Sequence, residues 1–395
     1  MQPTWLLVFV CGAFTAAPRA FADEPQTGPG TQAPVTPEEI AKLKRQIQQD
    51  TRSSLELSFD THSETGDLNN RLDLRRYGAR LNVRVRRATM RLSAARTSYA
   101  TIDDLLDETG TNVTLGLSGS LSPRIDGHVD VGVTHFTTDA TTVNFRGSVS
   151  LKPTEKVRYS LTVERSSVEE SLLSTAGMRP VTGPFAGELV GAVMENRVLA
   201  SASYRLPAQF DVFGEAAAGT RVGSNVDSNL FKRAGGGVGY NAVARGEDQP
   251  LSLFRLSASL YYFGFADDRF GFGGASFLDR RYEPVSLARL GSDGLPTDPS
   301  GRSPGVGGYF SPSRFVSRLV HVDVRGRPRP SFEYRLEVFA GSQTYTAFDT
   351  RGAKGVRANV VLHGGDRVSL PVTFVWDDVG PFRQRTLFVK LLARF

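Results

Sequence analysis

Two histidine–aspartate steps are the residues in this sequence whose types and spacing could do chemistry. His128 with Asp130, and His321 with Asp323, each place an imidazole and a carboxylate on one face of an extended strand. Such a pair could bind a metal ion or act in acid–base catalysis. Because no third ligand follows at a useful spacing, we interpret both steps as polar wall residues and predict no metal site.

The other candidate motifs carry little chemistry. Asp377 and Asp378 are adjacent at a predicted strand end and are interpreted as a solvated pair. The glycine-rich run at 235–239 superficially suggests a phosphate loop, but no strand-to-helix transition follows it, so a kinked or closely packed strand is favoured. No serine or histidine stands in a local nucleophile motif. We therefore predict neither enzyme activity nor a cofactor, although a site assembled from distant strands stays open.

The last nine residues indicate which elements hold these side chains. Leu387, Val389, Leu391, Ala393 and Phe395 alternate with a second set that contains a lysine and an arginine. Successive strand residues point to opposite faces, so this segment has one apolar and one partly charged face. Its aromatic carboxyl-terminal residue resembles the terminal signature of bacterial outer-membrane β-barrels, in which a final phenylalanine serves as the assembly signal.

The same period of two continues through most of the chain from position 53 onward. The pattern predicts an all-β protein, a transmembrane antiparallel β-barrel of about 16 strands (about 18 in an alternative count), preceded by one short periplasmic helix. The predicted strands cover 53–64, 70–85, 88–101, 111–122, 125–138, 143–152, 157–169, 190–206, 210–223, 229–245, 252–267, 315–327, 332–346, 354–363, 367–377 and 382–395.

The connections between these strands are sorted by length. The three longest predicted connections, near 102–110, 170–189 and 268–314, all fall on one side, whereas short turns such as 122–124 and 364–366 fall on the other. Membrane barrels combine short periplasmic turns with long external loops. A soluble sandwich has no reason to sort its connections in this way, so the pattern favours an outer-membrane barrel with both termini in the periplasm.

The amino-terminal segment predicts export. Residues 5–17 are almost entirely apolar, and the small-x-small sequence at 20–22 indicates a cleavage site. The region after it is rich in Pro, Gly and Thr, and a short helix with one narrow apolar stripe is predicted near 36–51. The predicted domains are a signal peptide at 1–22, a periplasmic leader with a short helix at 23–52 and the outer-membrane barrel at 53–395.

Composition excludes several classes of protein. The single cysteine, Cys11, lies in the predicted signal peptide, so the mature chain is expected to have no disulfide and no thiol chemistry. The formal net charge of +6 falls to +5 when Arg19 is removed with that peptide. No Lys/Arg block or basic helix accompanies this weak excess, so nucleic-acid binding is not expected.

Two motifs carry a family resemblance. Residues 307–315, with the sequence GGYFSPSRF, and residues 229–237, with NLFKRAGGG, resemble the carboxyl-terminal barrel of the outer-membrane subunit of bacterial cellulose synthase. The poly-N-acetylglucosamine porin is a more distant look-alike. The resemblance covers about 53–395 and implies an exopolysaccharide export channel. Those relatives carry a long array of periplasmic helical repeats where only the 36–51 helix stands here, so we expect a separate protein to supply the periplasmic conduit.

The expected function is therefore an outer-membrane channel for export of an exopolysaccharide, working with separate periplasmic and inner-membrane secretion components. A general or substrate-specific diffusion porin is the alternative, and an outer-membrane barrel hydrolase is the third hypothesis. The expected partners are a polysaccharide chain, outer-membrane lipid, the barrel-assembly machinery and a periplasmic polysaccharide-export protein.

The alternation also predicts which residues line the channel. Tyr309, Phe310 and Pro312, where the longest connection re-enters the wall, are predicted to anchor a loop that gates the lumen, and Phe395 is predicted to be the assembly signal. The predicted pore-lining residues are Arg80, Arg84, Arg91, His128, Asp130, Arg158, Glu164, Arg255, His321, Asp323, Glu333, Arg335 and Glu337.

Overall fold

The computed structural model describes residues 52–66, 72–86, 88–100, 107–179, 187–246, 248–267, 309, 311–345, 350–379 and 382–395. Sixteen antiparallel strands form one closed barrel, in which every strand pairs with its sequence neighbours and β1 pairs with β16. The strands are β1 Ser54–Gly66, β2 Asp73–Val85, β3 Ala88–Ala100, β4 Asp107–Ser122, β5 Ile125–Phe136, β6 Thr141–Thr154, β7 Val157–Ser167, β8 Gly191–Arg205, β9 Phe210–Ser224, β10 Val226–Ala244, β11 Leu253–Phe265, β12 Phe315–Arg329, β13 Phe332–Tyr345, β14 Arg351–Gly364, β15 Val368–Val379 and β16 Phe382–Arg394. One short helix, α1, spans Leu172–Thr175.

The predicted fold class is confirmed, with sixteen strands rather than the alternative count of eighteen. Most predicted strand boundaries agree with the structure to within a few residues, and β4 begins earlier than predicted, at Asp107, where it pairs with Ala100 of β3. The predicted signal peptide and leader helix lie outside the described residues. No helix of the described residues is long and apolar enough to cross a membrane.

The last strand closes the barrel against the first. Leu57 of β1 lies opposite Leu391 of β16, and the backbone N–H of Phe395 donates a hydrogen bond to the carbonyl of Ser53 at 3.0 Å. An open sheet edge would leave unpaired amides and carbonyls, each costing several kcal/mol in hydrocarbon. Closure satisfies these groups and makes the strand pairing compatible with a bilayer.

The two faces of the wall differ in chemistry. Large aliphatic residues such as Leu115 (58% exposed) and Leu161 (50% exposed) alternate along the strands with polar residues. Residues paired directly across an antiparallel ladder share a face, so the register assigns every strand position to one side. We call the face with the exposed aliphatic rows the outer face and the opposite face the inner wall.

The two rims also differ. The rim at which β1 begins and β16 ends carries short connections such as 123–124, 155–156 and 330–331, and we call it the short-turn rim. The opposite, long-loop rim carries the two longest connections, 168–190 and 266–314. The third predicted long connection is only 101–106, because β4 starts early, and the 245–252 connection on the short-turn rim is longer.

Candidate functional site along the inner wall

All residues of the predicted lining set lie on inner-wall positions, and several of them contact one another. Arg91 Nη1 lies 3.0 Å from Asp130 Oδ1, and Arg335 Nη2 lies 2.7 Å from Asp323 Oδ2. The register places each pair on the same face of the sheet. The prediction that this face lines a channel stays a prediction.

Other predicted residues bind partners that the sequence analysis did not single out. Arg197 donates to Glu164 at 2.7 Å, and Arg80 lies 3.5 Å from Glu56. Arg197 and Glu56 follow the same alternation of apolar and polar residues as the predicted set, so their inner-wall positions could have been predicted from the sequence. The remaining contacts are Arg255 Nε to Asp211 at 3.2 Å, His363 to Glu333 at 3.8 Å, and Arg84 to the Thr89 hydroxyl at 2.9 Å, while Arg158 lies opposite Ser203.

The two histidine–aspartate steps form polar contacts within β5 and with other strands of the wall. His128 hydrogen-bonds Asp130, whose carboxylate also accepts from Arg91. His321 lies 2.9 Å from the Ser259 hydroxyl and 3.2 Å from Glu337. Among the described residues, no group of three or more His, Cys, Asp or Glu side chains could hold a metal ion. The geometry therefore agrees with polar wall residues.

The acidic residues of the inner wall are balanced by bases. Among the described side chains, each of these acids except Glu108 lies within salt-bridge distance of a Lys, Arg or His side chain, so their negative charge is largely compensated. Most of these pairs are partly exposed and contribute little stability each, whereas the Arg197–Glu164 and Arg221–Glu195 pairs are buried. The paired acids are Glu56, Asp60, Asp126, Asp130, Glu164, Glu195, Asp211, Glu215, Asp323, Glu333, Glu337 and Asp377.

The glycine-rich run is part of this wall and not a phosphate loop. It lies in the middle of β10, and Gly235, Gly237 and Gly239 occupy inner-wall positions. A Cβ atom on Gly237 would lie 2.6 Å from Cζ of Phe213, and one on Gly235 would overlap the ring of Tyr261. The missing side chains therefore leave room for two rings from the adjacent strands to lie over β10.

Aromatic residues continue from this point toward the long-loop rim. The ring centroids of Phe263 and Phe315 are 4.9 Å apart, and those of Phe315 and Tyr345 are 6.1 Å apart and stacked. Phe339, also on the inner wall, lies beside His321 with centroids 5.6 Å apart. We call Phe213, Tyr261, Phe263, Phe315 and Tyr345 the aromatic run.

A segment that follows β7 lies inside the barrel. This inner segment, residues 168–179, contains α1, and its consecutive residues Glu169 and Glu170 bind opposite parts of the wall. Glu169 accepts from Arg76 of β2 at 2.8 Å, and Glu170 lies 2.9 Å from Arg221 of β9. Since β2 and β9 are seven strands apart in a barrel of sixteen, the segment bridges nearly opposite sides near the long-loop rim.

Apolar packing holds the inner segment against the wall. Ala176 packs in a buried cluster with Leu74, Tyr99 and Phe136, whose register partners place them on the inner wall. The Ser171 hydroxyl accepts from the backbone N–H of Ser174, which caps α1. Sequence analysis treated this connection only as a long loop, because its contacts come from strands distant in the chain.

The predicted gate is described only at its carboxyl-terminal end. Tyr309 is 7% exposed and lies beneath the Arg221 guanidinium, whose central carbon is 4.6 Å from the ring centroid. The carbonyl of Pro312 accepts from the N–H of Phe265 at 2.9 Å. Phe310 and residues 268–308 lie outside the described residues, so gating by this connection stays a prediction.

Phe395 continues the outer-face alternation of β16 and is 68% exposed. It lies on the short-turn rim beside Ser53, at the seam that closes the barrel. This position suits a recognition signal, but the role of Phe395 in assembly stays a prediction.

Comparison with known proteins decides the family. The family model described as "Cellulose synthase operon protein C C-terminus" matches residues 51–274. The chain belongs to this family. The predicted resemblance is confirmed, and the match includes the 229–237 motif but ends before the one at 307–315. Membership of this family and the closed barrel indicate location in the outer membrane. That the short-turn rim faces the periplasm stays a prediction.

One solved structure shares the fold. A bacterial polysaccharide outer membrane secretin has 11% sequence identity and a TM-score of 0.60, covering 87% of this chain and 99% of that chain. OccK5 of Pseudomonas aeruginosa matches with 9% identity and a TM-score of 0.40, covering 87% of this chain and 98% of that one. The comparison with curated proteins finds no match.

Proposed function

We propose that this protein is a passive outer-membrane channel that exports an exopolysaccharide. The observation that carries the proposal is the partly exposed portion of the aromatic run on the inner wall, Phe213, Tyr261 and Phe263, in which Tyr261 and Phe213 cover Gly235 and Gly237. Pyranose rings present apolar C–H faces, and flat aromatic surfaces offer contact area for them at low entropic cost. Membership of the cellulose synthase family and the fold shared with a polysaccharide secretin support the same function.

The paired charges of the inner wall favour a neutral polymer. A wall of alternating acids and bases offers hydrogen-bond donors and acceptors to sugar hydroxyls. By register its strand positions hold only a few more Arg and Lys than Asp and Glu residues, and Glu169 and Glu170 of the inner segment offset most of that excess, so it lacks the large arginine surplus that retains a polyanion. We therefore infer that the exported chain is uncharged or weakly charged.

The proposed export needs other components. A barrel of paired charges and aromatic rings contains no energy source, so the polymer must be pushed or ratcheted from the periplasmic side. A separate periplasmic export protein that meets the short-turn rim, coupled to synthesis at the inner membrane, would deliver the chain. Co-purification of such a protein with the barrel tests this part of the proposal.

Export is tested by deleting the gene and restoring it with variants. Loss of surface polysaccharide with normal uptake of small solutes supports export, whereas normal polysaccharide with reduced uptake supports a diffusion porin. Complementation with Phe213→Leu plus Tyr261→Leu should restore barrel levels but not full export. The matched control is Phe210→Leu plus Tyr240→Leu, which removes two outer-face rings from β9 and β10 and should restore export.

A further inference from the structure

Charged residues on the outer face are confined almost entirely to one rim. Outward strand positions near the long-loop rim hold eight basic side chains, whereas on the short-turn rim only Arg329, beyond a bulge at the end of β12, faces outward by register. The eight residues are Arg75, Arg96, Arg165, Lys232, Arg318, Lys354, Arg383 and Arg385.

Among the described residues, the acids at outward strand positions of the same rim do not balance this excess. The outward acids at the same rim are Asp73, Asp107 and Asp378, and Asp378 is paired with Arg383 at 3.4 Å. The inner wall is different, because its described acids other than Glu108 have basic partners. The unbalanced excess of positive charge therefore lies on the outer face, which indicates a binding partner outside the barrel.

Five of the eight cations form one patch around the seam of the barrel. This seam patch consists of Lys354, Arg383, Arg385, Arg75 and Arg96, on β14, β16, β2 and β3. The strand register brings these cations together. Arg385 lies opposite Ser63 of β1, and Arg75 lies opposite Thr61, two positions farther along the same strand. Arg96 of β3 is the diagonal neighbour of Arg75.

Four members of the seam patch are exposed and available to a ligand. Arg75, Arg96, Arg385 and Lys354 have no carboxylate within salt-bridge distance among the described residues. Arg383 is also exposed, at 67% of its side chain, although it is paired with Asp378. Arg75, Arg96, Arg385 and Lys354 can therefore take a new anionic partner without breaking an internal ion pair.

Aromatic residues lie next to the patch, as expected where a membrane barrel crosses the headgroup region. Trp376 pairs with Arg385 and lies 5.8 Å from the Lys354 ammonium, and Tyr77 packs on Phe59 with ring centroids 5.1 Å apart. Below them the outer face is aliphatic. The seam patch is therefore at the depth of the lipid headgroups of the leaflet near the long-loop rim.

We propose that the seam patch binds the phosphate groups of a phosphorylated glycolipid in the outer leaflet. Arginine forks match phosphate oxygens and form short charge-assisted hydrogen bonds, while the adjoining aromatic and aliphatic surface takes the acyl chains. The inference uses only outer-face residues, so it does not depend on what passes through the barrel.

The test measures lipid binding to the purified full-length barrel in an uncharged detergent, by native mass spectrometry. The probes are lipid A with both phosphates, the same lipid A without phosphates, and phosphatidylcholine. The test variant carries Arg75→Gln, Arg96→Gln and Arg385→Gln. The control variant carries Arg124→Gln, Arg245→Gln and Arg367→Gln, three exposed arginines of short-turn-rim connections.

The wild-type barrel should prefer phosphorylated lipid A, and the preference should weaken with added salt. Each cation near an anionic surface raises the binding affinity about fivefold, so the loss of three arginines should weaken the preference of the test variant for phosphorylated lipid A about 100-fold. The control variant should keep the preference. Equal binding of both forms of lipid A to the wild type would overturn the proposal. This comparison uses the wild-type barrel only and so does not depend on whether a variant folds. An equal loss in the control variant would also overturn it.

Discussion

The ring of Tyr261 lies across the backbone of Gly235, its register partner on the neighbouring strand. A Cβ atom on Gly235 would lie 3.0 Å from Cγ of that ring and still nearer to two other ring carbons. Only a residue without a side chain lets the ring occupy this position against the inner wall. The glycine run of β10 thus packs closely, as the sequence analysis favoured, but the rings that pack on it could not be identified from the sequence alone.

Adding one methyl group should therefore lift the ring off the wall. Gly235→Ala is expected to destabilise the barrel by about 1–3 kcal/mol through overpacking and to reduce export. Gly214→Ala is the control, because its Cβ would face outward with its nearest neighbour at 3.6 Å. Folded barrel is measured by heat-modifiable migration and export by surface polysaccharide. Normal export with Gly235→Ala would show that this position of the ring is dispensable.

The inner segment should narrow the barrel near the long-loop rim. Glu169→Gln with Glu170→Gln removes both charge-assisted anchors, to Arg76 and to Arg221, and should raise single-channel conductance by loosening the segment. Glu188→Gln is the control, since Glu188 belongs to the same connection but is exposed and bonds only the Asn225 amide among described contacts. An unchanged conductance in the double variant would mean that packing around Ala176 holds the segment by itself.

Charge balance along the inner wall predicts weak ion selectivity. Arg255→Gln with Arg335→Gln leaves Asp211 and Asp323 without their closest cations and should raise the permeability ratio for K⁺ over Cl⁻ roughly severalfold. Reversal potentials across a salt gradient measure the ratio. Arg96→Gln with Arg385→Gln removes equal charge from the outer face and should leave it unchanged. A wild-type channel that already strongly prefers one ion would contradict the balanced wall.

The position of Phe395 beside Ser53 makes a prediction about assembly. Deleting Phe395 should leave little folded barrel in the outer membrane, because the terminal aromatic residue at the closing seam is lost. Phe395→Tyr keeps an aromatic ring and should assemble. Outer-membrane fractions assayed by heat-modifiable migration give the readout, and normal levels of the deletion variant would show that the terminal residue is not the signal.

The strands could be predicted from the sequence because the alternation of apolar and polar residues is local. Leu81 between Arg80 and Asn82 reveals its face without knowledge of any other strand. The ion pairs could not be predicted, because Arg197 meets Glu164 only through the register between two strands. The inner segment was missed for a related reason, since Glu169 finds Arg76 across the barrel and nothing in its own neighbourhood signals that contact.

The central claim is that the inner wall guides a sugar chain over its aromatic run. The most direct measurement records single-channel current through the purified barrel while neutral β-linked glucan oligosaccharides are added from the short-turn side. We predict transient current blocks that lengthen with chain length. Aromatic contacts contribute about 0.5–1.5 kcal/mol each, so Phe213→Leu with Tyr261→Leu should shorten the blocks about 10-fold. Absence of blocks at any oligosaccharide length, or equal block times in both proteins, would contradict the account.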